Sequence, residues 1–528
     1  MKRMLWRRAL ALLLVLLLAL PAAAFALESR GENALGTAEE GDALTYPAPR
    51  RLLRSAQAPS RYDPRESGFV TRVKDQDVNP ICWAFGSLGA MELNLLKNGY
   101  GEQDLSEQHM YYATAPDGGN GTYGFVRGSK QGHRLYAASY LMRGAMSGAV
   151  LEEADPYDTF LRTRDASVTA AITPSYRAQN MIMLSGDTST IAQLDLKNAV
   201  LEYGAVGASM YWKGVATSEA GTASTANYNA QTAAYYSAEK NTTNHMVLIV
   251  GWDDAFSAEN FMESNRPETD GAWLVKNSWG SGWGDGGYFW VSYADATFPA
   301  GTFVVDGAEI YSEREVIYET EYLTTTASLA GPSQYAKVFT AQSSGEQLTA
   351  VRLYLTDAET DLTISVFTSG DFVASDPAAE QPFYAKNPGW YTVKLDTPVT
   401  LGDAGSAFSI RVSLVSGKKH VGYDKLTPIA AGENYYYSGS AWKDLSQAGN
   451  YNMAIKAVAQ KAPPRGDANG DGLVNGKDVT ILRQYFAGGY DARINESASD
   501  VSRDGYVNGK DVTILRRYFA GGYGVTLD

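Results

Sequence analysis

Asn79-Pro80-Ile81-Cys82-Trp83-Ala84-Phe85 reads as the opening of a buried helix. Asn79 suits the cap, and Pro80 suits the first position, where its missing N–H has no intrahelical partner in any case. Phe85, Leu88, Glu92 and Leu95 or Leu96 then recur at helical spacing and give a mostly apolar face. Cys82 falls in the first turn, where unpaired N–H groups and the helix dipole favour an anion. It is the only cysteine in 528 residues, so it forms no intramolecular disulfide. Most lone cysteines are small buried hydrophobes, and the choice between that and a reactive thiol rests on the residues that accompany Cys82.

A chain of this length exceeds what one core supports and implies roughly three domains. Its net charge of −14 argues against nucleic acid as a partner, since neutralising phosphates takes a basic surface. Lys2, Arg3, Arg7 and Arg8 precede the apolar run Ala9 to Leu20, which Pro21 ends. Ala24-Phe25-Ala26 follows as a small-x-small cleavage pattern, so residues 1–26 read as a signal peptide. As a helix the run spans only about 18 Å against roughly 30 Å of hydrocarbon. The expectation is a secreted, extracellular protein with no membrane span.

Residues 27–59 are polar and aperiodic, a short pro-segment or linker. Residues 60–300 mix helical and strand patterns. Met246–Val250, Trp273–Val275 and Tyr288–Tyr293 read as strands, and 213–243 reads as an exposed loop. Over 316–459 the helical period fades. Val351–Leu355, Leu362–Phe367, Ala407–Val415 and Tyr451–Val458 read as half-buried strands between turns, which predicts a β-sandwich. A stiff Pro-containing linker covers 460–465. In the last segment, 466–528, Asp478–Tyr490 recurs as Asp511–Tyr523 with only Gln484 replaced, by Arg517.

A thiol that attacks carbonyls needs a proton acceptor, and the chain has four histidines. His109 falls in a helical stretch, His133 near a Gly-rich turn and His420 in the β region. His245 begins an apolar strand that would hold its ring rigidly. Val73-Lys74-Asp75-Gln76, Cys82-Trp83-Ala84-Phe85, Leu105-Ser106-Glu107-Gln108, Asp155-Pro156-Tyr157, Tyr203-Gly204-Ala205-Val206, Tyr235-Tyr236, Asn244-His245-Met246-Val247 and Val275-Lys276-Asn277-Ser278-Trp279-Gly280 follow in that order. Together they resemble the papain family of cysteine proteases over about residues 60 to 296. The resemblance implies a multidomain protein with an α+β papain-like catalytic domain, and a role for each matching residue. Cys82 would be the nucleophile and His245 its proton partner, while Asn277 would orient the ring and Trp279 shield that bond. Gln76 and the Cys82 N–H would bind the oxyanion, and catalysis would need no cofactor. Asn79-Pro80-Ile81 stands where the family has Cys-Gly-Ser, so the neighbouring disulfide is missing. The pro-segment is also shorter than the family's helical inhibitory pro-domain. The β-sandwich resembles a lectin-like domain attached to bacterial members, which leaves carbohydrate as one optional partner. A stabilising accessory domain without sugar binding is an equal reading.

In the tail, Asp467, Asn469, Asp471, Asn475 and Asp478 occupy positions 1, 3, 5, 9 and 12 of a calcium loop. Gly472 is at position 6, and the carbonyl of Leu473 is at position 7. Asp500, Ser502, Asp504, Tyr506 (carbonyl), Asn508 and Asp511 repeat the pattern. Two loop–helix units of this kind resemble a type I dockerin, a small all-α domain. That resemblance implies two structural Ca²⁺ ions and a cohesin partner on a scaffolding protein, with cell-surface association through the scaffold as an option. Arg483, Gln484, Arg516 and Arg517 are candidate contacts. The combined expectation is a secreted cysteine endopeptidase acting on protein or peptide substrates and tethered in a cellulosome-like complex. The alternatives are a non-catalytic protease homologue, a carbohydrate-binding module in the same complex, and a Cys-His-Asn acyl transferase.

Overall fold

The computed structural model describes residues 58–114, 132–144, 148–162, 164–184, 190–213, 226–321, 332–416, 421–425, 427–449, 451–470, 472–488, 492–522 and 526–527. The expected signal peptide and nearly all of the pro-segment lie outside these residues, as do His420 and Asp471. The chain divides into two compact units between Ala462 and Pro463.

In the first unit the helix runs Cys82–Lys97 with Ile81 as its N-cap and no side-chain cap. Asn79 is therefore not the cap, and Pro80 stands outside the helix. The Asn79 amide bonds across to another loop instead, a use that competes with capping because both need the same group. Trp83 to Leu95 are buried on every side, so the helix lies inside the protein rather than showing one apolar face. Two glycines set how closely it packs. A methyl group on Gly86 would sit 2.8 Å from Met246 Cγ, and one on Gly89 would sit 2.7 Å from Leu248 Cδ1. Both distances are below van der Waals contact. Bare backbone at these two positions lets the helix lie directly on the strand His245–Asp253.

That strand is buried from His245 to Trp252, as expected for a strand covered on both faces. It pairs antiparallel with Val206–Met210 on one side and Ala272–Lys276 on the other. Tyr288–Ser292 follows Ala272–Lys276 in the sheet. The expected exposed loop at 213–243 is corrected in part. Tyr228–Asn229 and Ala234–Tyr235 form short strands at this end of the sheet, with Tyr228, Ala234 and Tyr235 buried. Two-residue strands are too short to leave a period in the sequence.

Beyond Val206–Met210 the sheet continues through Ala300–Ile310 and Tyr176–Met183, and then leaves the α+β region. Met181 pairs with Trp390 and Ile182 with Gly389, at the start of strand Gly389–Thr400. Gln347–Leu355, Ile455–Gln460 and Glu315–Tyr318 complete one sheet of 13 strands. A second sheet of six strands faces this end. Its centre is Thr360–Phe367, Ala407–Ser416 and Gln334–Thr340. Leu353 and Ile455 from one sheet share a core with Ile364, Val366 and Ile410 from the other. The β-sandwich is thus present, and one of its layers is an extension of the α+β sheet. Gly389 makes the crossing possible: its φ is +146°, and a Cβ there would meet the Met181 carbonyl oxygen at 2.6 Å.

The second unit has helices Gly476–Phe486, Glu496–Ser499 and Gly509–Phe519. Ala468, Leu482, Val501 and Leu515 form its core. Each long helix starts with a reciprocal capping box, Asn475 with Asp478 and Asn508 with Asp511.

Candidate active site

His245 and Asn277 come from neighbouring strands of the sheet. His245 opens one, and Asn277 follows Lys276 at the end of the next. His245 Nε2 lies 2.8 Å from Asn277 Oδ1. The Ser278 backbone N–H donates to the same oxygen at 2.8 Å. A backbone N–H can only donate, so this bond fixes the amide with its oxygen toward the ring. Nε2 therefore carries the proton, and Nδ1 is left as the base. The Trp279 ring covers the imidazole at 4.7 Å and 25°. Trp279 is held edge-on by Trp212 (5.0 Å) and by Trp283 (4.8 Å). Trp212 is held in turn by Asn244. Its N–H donates to Asn244 Oδ1 at 2.7 Å, and its carbonyl accepts from Asn244 Nδ2 at 2.9 Å. Sequence reasoning missed this brace, because a lone Trp at 212 carries no local signal.

Cys82 is the first residue of its helix and is partly exposed. Burial pushes its thiol up to about 11, against the pull of the Met246, Trp83 and Cys82 backbone N–H groups. The Met246 contact brings the sulfur beside the residue that follows His245. Burial pushes His245 down to about 4, against its bond with Asn277. Both shifts report the difficulty of a single charge in a dry site. Gln76 is buried beside this helix start. Its Oε1 accepts from Ser278 Oγ at 2.6 Å, and its Nε2 donates to the Asn79 carbonyl at 2.8 Å. One Nε2 hydrogen thus remains for another acceptor. Ser278 orients both Asn277 and Gln76, a role its place between Asn277 and Trp279 did not reveal.

The structure brings Cys82, His245, Asn277 and Gln76 to one site. His109 is elsewhere, buried against Tyr140 and the Thr169 carbonyl, and His133 caps the helix Arg134–Met142.

The tail loops wind around their acidic residues. Asp467 Oδ2 accepts the Gly472 N–H at 3.0 Å. Asp478 accepts from the Asn469 and Asn475 N–H groups at 3.1 and 2.7 Å. In the second loop Asp500 accepts from Gly505, and Asp511 from Ser502 and Asn508, each at 2.8 Å. Asp504 pairs with Lys510 at 2.8 Å. Asp467, Asp478 and Asp511 are fully buried, while Leu473 and Tyr506 keep their side chains in solvent, as residues that ligate by carbonyl do. Among the described residues no three acidic, histidine or cysteine side chains converge as a metal cluster. The donor set itself, carboxylate, amide, hydroxyl and carbonyl oxygens at loop spacing, fits a hard cation such as Ca²⁺.

A thiol at a helix start and a buried imidazole–amide pair, carried by a helix and the sheet it packs on, are the groups a thiol protease would use. Residues 58–301 match the family model of the papain family cysteine proteases, 317–459 that of the lectin like domain and 465–520 that of the dockerin type I domain. The chain carries a papain-family cysteine protease domain followed by a lectin-like domain and a type I dockerin domain. It is 30% identical to cysteine proteinase 1 of Entamoeba histolytica over 44% of this chain and 63% of that protein. With a cathepsin L-like proteinase of Fasciola hepatica it shares 31% identity over 47% of this chain and 64% of that one. It thus spans less than two thirds of these relatives. The structure of the cysteine protease and lectin-like domains of Cwp84, a surface layer associated protein of Clostridium difficile, superposes with a TM-score of 0.64 at 22% identity. That superposition covers 83% of this chain and 96% of the other, and shows a common fold. No helix among the described residues is long and apolar enough to cross a membrane.

Proposed function

We propose that this chain is a secreted cysteine endopeptidase that hydrolyses peptide bonds through an acyl-enzyme on Cys82, and that its dockerin tethers it to a cohesin-bearing scaffold. The observation that carries the reading is the His245–Asn277 pair, locked in one tautomer under Trp279 beside the Cys82 helix. In the proposed cycle Nδ1 of His245 takes the Sγ proton as sulfur bonds to the substrate carbonyl carbon. The oxyanion is held by the Cys82 N–H and the remaining Gln76 Nε2 hydrogen. As the C–N bond breaks, His245 returns the proton to the leaving amine. Water, deprotonated by His245, then attacks the thioester and releases the acid and the thiol.

Asp467, Asn469, Asp471, Leu473, Asn475 and Asp478 would hold one Ca²⁺. Asp500, Ser502, Asp504, Tyr506, Asn508 and Asp511 would hold a second. Bound calcium would neutralise the buried carboxylates and so fix the two long helices for partner binding.

The test is peptide hydrolysis by the wild-type and Cys82→Ala proteins, with a papain-directed epoxide mapped by mass spectrometry. The expectation is labelling at Cys82 and loss of activity in the variant; hydrolysis at an undiminished rate by Cys82→Ala would sink the reading. A labelled protein that passes the acyl group to added amines without hydrolysing would be an acyl transferase. For the tail, a chelator should abolish cohesin binding.

A further inference from the structure

The segment Gln76–Ile81 leads to the nucleophile and carries the oxyanion amide, yet no disulfide can anchor it in a chain with one cysteine. We propose that Asn79, Tyr157 and Thr159 form a hydrogen-bonded clasp that positions Gln76 in place of a covalent cross-link. The proposal rests on the roles given above to Cys82 and Gln76.

Asn79 Nδ2 donates to the Tyr157 hydroxyl at 3.0 Å and to the Thr159 carbonyl at 2.5 Å. The Tyr157 hydroxyl donates to the Gln76 carbonyl at 2.8 Å. That carbonyl also accepts the Asn79 N–H at 3.2 Å. Gln76 Nε2 closes the circuit by donating to the Asn79 carbonyl at 2.8 Å. Asn79 and Gln76 are 2% and 4% exposed, so the bond between them is made away from competing water, while Tyr157 and Thr159 are half-buried. Tyr157 is itself fixed. Its ring stands edge-on to Phe85 of the nucleophile helix at 5.3 Å and 87°, and its N–H donates to Glu152 at 2.7 Å.

Outside the clasp the segment is held at its two ends, where the Gln76 N–H donates to the Ser278 carbonyl at 2.8 Å and Ile81 is fully buried, but not at its middle. Asp77 adopts φ +50°, a region non-glycine residues enter at a cost, and Val78 is 81% exposed. Ser278 would still hold Gln76 by its side chain and by its backbone N–H, but the Gln76 carbonyl and Asn79 would lose their ties to the 157–159 loop. Asn79, Tyr157 and Thr159 are positioning residues, since they act through Gln76 and touch no reacting atom.

Two reagents separate positioning from general stability. A peptide aldehyde adds to the Cys82 sulfur and leaves an oxyanion within reach of the Gln76 amide. Iodoacetamide alkylates the same sulfur and forms no oxyanion. In Asn79→Ala and Tyr157→Phe, aldehyde affinity and kcat should fall about tenfold or more, with KM and the iodoacetamide rate within about twofold of wild type. Tyr157→Phe removes a single oxygen and keeps the test decisive if Asn79→Ala fails to fold. In a Gln76→Ala background Tyr157→Phe should have little further effect. A parallel fall in both reagents with lowered thermal stability would make the clasp a fold element only, and unchanged aldehyde affinity would remove it altogether. Failure of the underlying reading would look different, because wild-type protein would neither hydrolyse peptides nor bind the aldehyde.

Discussion

At Cys82 and His245 the pKa shifts run in opposite directions, and the pair makes sense only as a unit. A thiol at about 11 would be thiolate in about one molecule in ten thousand at neutral pH. An imidazole at about 4 would be almost wholly neutral. In the proposed mechanism, moving the proton from sulfur to Nδ1 would create both charges together, where their attraction would offset the desolvation that each meets alone. In His245→Ala, alkylation of Cys82 should therefore follow one ionisation displaced toward 11 and be slow at pH 7. The wild-type rate should stay nearly flat across neutral pH, and a wild-type profile as steep as the variant's would remove His245 as the proton partner. His109 titrates with a different consequence. Burial lowers it from 6.5 to about 4, so the unfolded chain binds the extra proton first. Its contribution to stability is complete above about 6.5 and is lost as pH falls toward 4. Between pH 7 and 4.5 the wild-type denaturant midpoint should accordingly drop relative to that of a His109→Gln variant, and the same pH dependence in both proteins would contradict the assignment.

Among the elements, the contact between the Cys82–Lys97 helix and the His245–Asp253 strand determines whether the site exists. Gly86→Ala and Gly89→Ala should each destabilise the fold by about 1–3 kcal/mol, since the added methyl meets Met246 or Leu248 inside contact distance. Gly86→Ala should also lower kcat more than Gly89→Ala, because Met246 adjoins His245. Chemical denaturation and peptide turnover would check the two effects separately. The candidates Cys82, His245 and Asn277 could be picked out in the sequence because each sits in a short word at a helix start or strand end, and Gln76 because it sits in a word a few residues before that helix. The loop–helix repeat was legible because oxygen ligands at fixed spacing leave a local trace. The start of the helix was misread because Asn79 has the chemistry for a cap as well as for bonds across to another loop, and only its distant partners Tyr157 and Thr159 decide between them. The Trp212 brace and the sheet crossing at Gly389 were silent for a related reason. Both depend on which segments meet, a non-local fact that composition and periodicity do not record.

For the larger unit as a whole, the continuous sheet makes the α+β and sandwich regions one mechanical body, and a buried ion cluster lies beside the crossing. Glu319 pairs with Lys456 at 2.7 Å and with Arg143 at 3.2 Å, so residues of both regions meet on one carboxylate. Burial opposes the charge on Glu319, but Lys456 and Arg143 hold its pKa down to about 2 from 4.5. A depressed carboxyl contributes stability that is full above about 4.5 and lost as pH falls toward 2. Glu319→Gln takes one carboxylate away from two buried cations, and Lys456 keeps Glu321 at 2.5 Å. The substitution should lower stability by about 3 kcal/mol at pH 7. Because the strands are shared, a fluorescence probe in the sandwich and loss of Cys82 protection from alkylation should move to lower denaturant together. The difference from wild type should narrow as pH falls from about 4.5 toward 2, where the unfolded wild-type chain takes up the proton that folded Glu319 excludes. Two separate transitions, with only the sandwich probe displaced by Glu319→Gln, would mean that the crossing at Gly389 joins the sheets without coupling their folding.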